Sequence, residues 1–187
     1  MMWGATAASI MVAGPASAGG AKAQAHGTEF GPTLPPIGFV RMCAENPQAC
    51  GGRHDAVTFA SATETSWQLL NEINAYVNGK IAPVSDKELY GVAEKWTYPV
   101  DAGDCEDYVL LKQRYLSRLG FSTGNLLITV VLDEKKEGHA VLTVTTTDGD
   151  YVLDNRTNEI RRWNETPYVF LKRQSREDAR KWVALVK

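Results

Sequence analysis

The stretch GDCEDYVLLKQRYL contains one cysteine, Cys105, among three acidic residues, Asp104, Glu106 and Asp107. The apolar residues that follow recur with helical spacing, so we expect an amphipathic helix that begins beside Cys105. A helix N-terminus favours a thiolate through its dipole and its unpaired backbone N–H groups, and the thiolate is the reactive form of cysteine. The pattern therefore indicates a nucleophile, although the neighbouring carboxylates oppose its ionisation.

A nucleophilic thiol needs a base and a group that orients the base. His139 opens a predicted strand immediately after Gly138, and Asp154 lies on the next predicted strand. Taken singly, a buried cysteine is more often a packing residue, a histidine at a strand start more often lies at the surface, and an aspartate often ends a strand. Their combination, in the chain order of papain-like sites, predicts a Cys105–His139–Asp154 triad.

Strand geometry tests whether His139 and Asp154 can meet. Side chains alternate between the two faces of a strand, and this alternation places both residues on the same face of a predicted hairpin. A tight two-residue turn at Asp148-Gly149 would leave them roughly 13 Å apart along the strand. A four-residue loop over 146–149 sets Asp154 opposite Val141 and diagonal to His139. We therefore predict the wider loop.

The elements that must position these residues form two groups along the chain. Before Cys105, Thr63 or Thr65 can cap a helix that ends at Asn78-Gly79, and a capping box at Ser85 predicts a second short helix. After the Cys105 helix the chain is β in character, with predicted strands over residues 125–133, 139–147, 150–155 and 167–173. Helices followed by a meander of strands predict an α+β fold with an antiparallel sheet.

Length and charge limit the remaining choices. The chain has 187 residues and a net charge of -2 without a basic stripe, which indicates one domain and excludes nucleic acid as a partner. Residues 1–25 contain a short apolar run followed by small residues and predict a signal peptide, with a disordered leader as the alternative. We expect a single domain over 26–187, with an irregular Pro- and Gly-rich arm over 26–62, in a periplasmic or secreted protein.

In an exported chain, cysteines can form disulfides. Cys43 and Cys50 lie close together around Pro47, so we expect a local disulfide in an oxidising compartment, with two unbonded small residues as the alternative. This pairing leaves Cys105 as the unpaired thiol.

Four segments carry a resemblance to a known family. The segments AGDCEDYVLLKQRYL, GHAVLTV and YVLDN, with FVRMCAENPQAC near the N-terminus, resemble the bacterial transglutaminase-like cysteine proteinases of the papain and transglutaminase superfamily. The resemblance runs from about residue 35 to the end. It implies a papain/transglutaminase-like fold in which Cys105 is the nucleophile, His139 the base and then the acid, and Asp154 the group that orients the imidazole. The reaction would be peptide hydrolysis through a thioester.

The resemblance also implies partners and a cofactor. Relatives include periplasmic calcium-dependent proteases that release surface adhesins, which implies a protein or peptide substrate and a membrane-bound regulatory protein. In those relatives the acids that flank the cysteine are associated with calcium, and Asp104, Glu106 and Asp107 match that pattern. The same acids could instead cap the helix and complement its dipole.

Two questions about the chemistry stay open in the sequence. The backbone N–H of Cys105 and the indole N–H of Trp96 are candidate oxyanion donors, although plain core packing is the more common role of a tryptophan. The alternatives to a protease are a transglutaminase-type acyltransferase, which would use the same triad, and a catalytically idle peptide-binding module.

Overall fold

The computed structural model describes residues 1, 25–51 and 60–185. Within these residues the α-helices are α1 (Ile37–Glu45), α2 (Glu64–Lys80), α3 (Asp86–Tyr90) and α4 (Cys105–Arg118). The strands are β1 (Pro32–Thr33), β2 (Ala82–Pro83), β3 (Ala102–Gly103), β4 (Leu126–Leu132), β5 (Gly138–Thr146), β6 (Gly149–Leu153), β7 (Arg161–Arg162), β8 (Val169–Gln174) and β9 (Trp182–Ala184). The predicted signal peptide lies, apart from its first and last residues, outside the described residues.

The centre of the molecule is an antiparallel sheet with the strand order β1-β9-β8-β4-β5-β6-β7. Strands β2 and β3 form a separate short parallel pair that precedes α4. Helix α4 packs on β4 and β5, and α2 packs on α4. The predicted α+β class with an antiparallel sheet is confirmed.

The alternation of side chains along the central strands creates two apolar layers. One face of the sheet packs against α4 and contributes Ile128, Ala140, Leu142, Val144 and Leu153 to the main core. The opposite face carries a smaller cluster of Val131, Val141, Val152 and Phe170. The predicted division of the β5–β6 hairpin into two faces is therefore confirmed, because alternate residues enter different clusters.

Helices α2 and α3 begin as the sequence predicts. Thr63 caps α2, and its hydroxyl oxygen accepts the backbone N–H of Ser66 at 3.1 Å. The predicted capping box begins α3, where the Ser85 side chain and Glu88 bond reciprocally. These two caps require only neighbouring residues, which explains why a local pattern predicts them correctly.

The β5–β6 hairpin keeps the predicted register with a shorter turn. The strands pair as far as Thr146 opposite Gly149, so only two residues lie between the paired ends. Continuation of this register sets Asp154 opposite Val141, as predicted. The shorter turn is accommodated by Gly149, whose φ of 137° is a conformation that other residues rarely adopt.

The N-terminal region is more regular than its Pro and Gly content predicts. It contains β1, α1 and a short 3-10 helix over Pro47–Cys50, so the expectation of an irregular arm is wrong for these residues. Helix α1 forms because Phe39 and Met42, about one turn apart, enter the core, and Pro36 precedes the first turn where proline is tolerated. The predicted Cys43–Cys50 disulfide is present.

Across the described residues, no helix combines the length and apolar character that a membrane crossing requires.

Candidate active site

Cys105 is the first residue of α4, as the sequence predicts. The backbone can reach this position because Gly103 has no side chain: a Cβ there would lie 2.6 Å from Oδ2 of Asp107. The Cys105 thiol donates to Oε2 of Glu106 at 3.3 Å. The backbone N–H of Ala140, the residue after His139, lies close enough to the sulfur to lower the pKa of the thiol. The start of α4 and the start of β5 therefore meet at the thiol.

The surroundings of the thiol oppose its ionisation. Burial raises the pKa of Cys105 well above its ordinary value, and the charges of Glu106 and Asp104 raise it further. The Ala140 N–H lowers the pKa but does not compensate for these effects. Of the three neighbouring acids, Glu106 and Asp104 therefore disfavour the Cys105 thiolate.

His139 and Asp154 meet across the β5–β6 hairpin. Nε2 of His139 donates to Oδ1 of Asp154 at 2.9 Å, and both side chains are buried. Because Nε2 is bonded to the carboxylate, Nδ1 is the ring nitrogen that remains for a second partner. The register, the shared face and the hydrogen bond together give His139 a defined tautomer.

Asp154 is held in its ionised form by several donors. Burial alone would raise the pKa of Asp154, but the hydrogen bonds from His139, the Tyr168 hydroxyl and the Arg156 backbone N–H lower it below its ordinary value. Lys112 of α4, fully buried, also lies close enough for its charge to interact with Asp154. The carboxylate is thus available as a charged acceptor for the imidazole.

Three carboxylates converge beside the thiol. Asp86, Asp104 and Glu106, which we call the acidic cluster, place one oxygen each within 4.8 Å of one another. Two of these residues were predicted as metal ligands, whereas Asp86 was not. Asp107, the third predicted ligand, instead accepts the backbone N–H of Thr97 at 2.9 Å and is not part of this group.

The acidic cluster is short of donors. Within the described part of the chain, no hydrogen-bond partner exists for Oδ1 of Asp86, Oδ1 of Asp104 or Oε1 of Glu106, all of which are buried. Oδ2 of Asp107, also buried, lacks a partner as well. Buried oxygens without donors carry a large desolvation cost, and a hard cation with oxygen ligands would remove it. The residues present therefore fit a Ca²⁺ site.

The pKa values of Glu106 and Asp107 also indicate that positive charge is lacking around these carboxylates. Burial, then the charge of Asp104, raises the pKa of Glu106 to about 9. Burial also raises the pKa of Asp107 to about 7, with a further contribution from Asp104 and Asp86. Carboxyl groups whose pKa values rise this far accept a proton or a cation at neutral pH.

Asp104 and Trp96 make contacts that local sequence does not reveal. Asp104 is the N-cap residue of α4, but its carboxylate accepts the backbone N–H of Asp86 at 3.2 Å instead of capping the helix. The Trp96 side chain is buried, and its indole N–H donates to Glu94 at 2.5 Å. In this arrangement Trp96 directs its donor to Glu94, which leaves the Cys105 backbone N–H as the candidate oxyanion donor.

A family model described as bacterial transglutaminase-like cysteine proteinase (BTLCP) matches residues 29–187. The chain belongs to this family. It is therefore a cysteine protease, and its substrates are proteins. A sequence search of curated proteins gives no match to this proteinase.

Solved structures of LapG from Legionella pneumophila share the fold. Calcium-bound LapG has a TM-score of 0.55 and 21% identity, over 68% of the proteinase and 73% of LapG. A second LapG structure has a TM-score of 0.54 and 22% identity, over 64% and 69%. EGTA-treated LapG also has a TM-score of 0.54 and 22% identity, over 64% and 67%. At this level of identity the similarity establishes the fold of the proteinase and nothing finer.

Sequence reasoning missed two residues of the site in this proteinase. Asp86 belongs to the capping-box segment at Ser85, so its local pattern indicates a helix start and gives no sign of the cluster. Tyr168 reaches Asp154 from the strand region around β8. Both contacts link segments far apart in the chain, and only the packing of α3 and β8 brings them to the site.

Proposed function

We propose that the chain is an exported, calcium-dependent cysteine endopeptidase that acts through Cys105, His139 and Asp154. The observation that carries the proposal is the hydrogen bond of 2.9 Å between His139 and Asp154, with the Cys105 thiol at the N–H of the next residue, Ala140. Membership of the cysteine proteinase family supports the reaction class. The disulfide between Cys43 and Cys50 supports export to an oxidising compartment.

The proposed chemistry assigns one step to each residue. Nδ1 of His139 takes the thiol proton of Cys105, and the thiolate attacks the carbonyl carbon of the scissile peptide. The imidazolium then protonates the leaving amine, so that a thioester to Cys105 remains. Water, deprotonated by His139, hydrolyses the thioester and restores the thiol.

Asp154 contributes orientation and charge in this scheme. Its bond to Nε2 keeps Nδ1 available to the thiol and stabilises the imidazolium that forms when the thiol loses its proton. The donors that lower the pKa of Asp154 keep it ionised across the neutral range.

The acidic cluster is the proposed binding site for Ca²⁺. Asp86, Asp104 and Glu106 would hold the ion, and its positive charge would offset the carboxylates that raise the pKa of Cys105. The calcium-bound state of a LapG structure gives a precedent in a protein of this fold. The resemblance to adhesin-releasing proteases favours a surface adhesin as the substrate class.

Alkylation of the free thiol tests the proposal. Because Cys43 and Cys50 are bonded to each other, uptake of iodoacetamide by the disulfide-intact protein reports Cys105 alone. We expect the thiol at pH 7, in Ca²⁺, to react faster than free cysteine, and His139→Ala to slow it at least about tenfold. Cys105→Ala is the control for labelling and for proteolysis of labelled casein.

Two results would contradict this function. One is a thiol that reacts no faster than free cysteine and is indifferent to His139→Ala, which would make Cys105 a packing residue. The other is amine incorporation into a glutamine peptide in preference to hydrolysis, which would assign the same triad to acyl transfer.

A further inference from the structure

Tyr168 contacts both members of the His139–Asp154 pair. Its hydroxyl donates to Oδ2 of Asp154, the carboxylate oxygen that His139 does not use. Its ring lies edge-on to the imidazole, with ring centroids 5.6 Å apart and an angle of 65° between the planes. One side chain therefore fixes the carboxylate through a hydrogen bond and borders the imidazole through an aromatic contact.

We propose that Tyr168 is a positioning residue of the protease, which holds the Asp154 carboxylate and restricts rotation of the His139 ring. The inference rests on the proposed function, because positioning has a catalytic consequence only if His139 serves Cys105. The hydrogen bond to Asp154 and the ring contact with His139 are both present in the folded chain, so no conformational change is needed to form them.

The geometry explains why a tyrosine is suited to this place. The carboxylate of an aspartate can rotate about its Cβ–Cγ bond, and a donor on each oxygen restricts that rotation. His139 and the Arg156 backbone N–H bond Oδ1, so that Tyr168 is the donor to Oδ2 among the described residues. Phenylalanine could supply the ring contact alone, whereas serine could supply a hydroxyl without the ring.

The hydroxyl also remains a donor under all working conditions. Burial, then the hydrogen bond to Asp154 and its charge, raises the pKa of Tyr168 above its ordinary value, so the phenol stays protonated. The other charged groups near this pair are Arg156, Glu134 and the buried Lys112. Their contributions are the same in the wild type and in a Tyr168 variant, which isolates the hydroxyl in a comparison.

The test separates the hydroxyl from the ring. Tyr168→Phe keeps the ring and removes the donor, and Tyr168→Leu removes both. We expect kcat/KM on labelled casein to fall about ten- to hundredfold in Tyr168→Phe, the range for a lost hydrogen bond to a charged group. We expect a larger loss in Tyr168→Leu. Tyr108→Phe is the matched control, because it removes a buried hydroxyl that donates to the Ile81 carbonyl, away from the dyad.

A second measurement does not depend on activity. The ring N–H of His139 that donates to Asp154 gives an NMR signal in protein labelled with ¹⁵N-histidine. This signal should shift and broaden in Tyr168→Phe, because the Asp154 carboxylate loses the donor to Oδ2 and can turn. Tyr108→Phe should leave this signal unchanged, although it lowers the melting temperature.

The outcomes distinguish this inference from the proposed function. If the His139 ring N–H signal in Tyr168→Phe matches that of the wild type and kcat/KM stays within about twofold, Tyr168 is a packing residue and the inference is wrong. If the wild type itself shows no His139-dependent thiol reactivity, the proposed function is wrong, and the ring N–H signal alone then decides whether Tyr168 positions the His139–Asp154 pair.

Discussion

The acidic cluster allows a prediction with two opposite effects from one substitution. Asp86→Asn keeps the shape of the side chain and an oxygen that can still accept the backbone N–H of Lys95. It removes one of three carboxylates whose oxygens lie within 4.8 Å of one another. Without calcium this change relieves repulsion between buried acids, whereas with calcium it removes a charged ligand. We therefore expect the variant to be more stable than the wild type in chelator and less responsive to calcium.

The size of the calcium effect follows from linkage between binding and folding. An ion that binds the folded chain alone stabilises it by about 2.7 kcal/mol at a concentration one hundred times its dissociation constant. For a domain of this size, each kcal/mol raises the melting temperature by about 2–4 °C. We expect a shift of about 5–10 °C for the wild type at saturating Ca²⁺, and less than half of that for Asp86→Asn.

Differential scanning calorimetry in CaCl₂, in EGTA and in MgCl₂ of equal ionic strength measures both effects. Asp101→Asn is the matched control, since Asp101 is exposed and lies outside the cluster. Magnesium should give a smaller shift because it demands a more regular shell and dehydrates reluctantly. A wild type whose melting temperature does not respond to calcium, or an Asp86→Asn variant that keeps the full response, would refute the assignment of these carboxylates.

Three further predictions concern buried charges. Asp154→Asn should lower kcat/KM on casein by about 10³-fold or more with little change in melting temperature, because the amide cannot stabilise an imidazolium. A loss below tenfold would contradict the role proposed for the Asp154 carboxylate. Burial lowers the pKa of Lys112 to about 7, so the folded protein favours the neutral lysine. In urea unfolding, the stability of the wild type relative to Lys112→Met should therefore rise between about pH 7 and 10, by at most about 1.4 kcal/mol per pH unit. A stability difference that is independent of pH would show that the lysine is not neutralised. Asp150→Asn should lower the free energy of unfolding by about 3 kcal/mol, because it removes the buried carboxylate 2.6 Å from the buried Arg173 and leaves that guanidinium with the more exposed Glu29. Glu159→Gln at an exposed pair should cost less than about 1 kcal/mol, and equal costs would contradict this account.

Local pattern was sufficient to predict the elements that carry the proposed triad. Helical spacing after Cys105, strict alternation around His139 and the run that ends at Asp154 each depend on residues within a few positions of one another. The register of the hairpin followed from the requirement that His139 and Asp154 share a face and approach each other. The turn itself was shorter than expected, since Gly149 adopts a backbone conformation that the alternation pattern does not express.

Local pattern misled where composition and packing disagreed. The density of proline and glycine over 26–62 predicted an irregular arm, but α1 forms there because Phe39 and Met42 are buried in the core. The stabilising contact for this helix is with other elements, including the ring of Trp96 at 5.8 Å from that of Phe39. Propensity is a weak guide when tertiary burial supplies the stabilising free energy.

The sequence by itself determined the class of the fold, the identity of the free thiol, and the face and register that bring an imidazole to a carboxylate. These properties depend on periodicity and on chain order, which are local. Only the tertiary structure decided which acids surround the thiol and which donors hold Asp154. Asp86 and Tyr168 come to the site from distant segments, and contacts of that kind are set by how helices pack on the sheet, because packing depends on the shapes of whole surfaces rather than on any short run of residues.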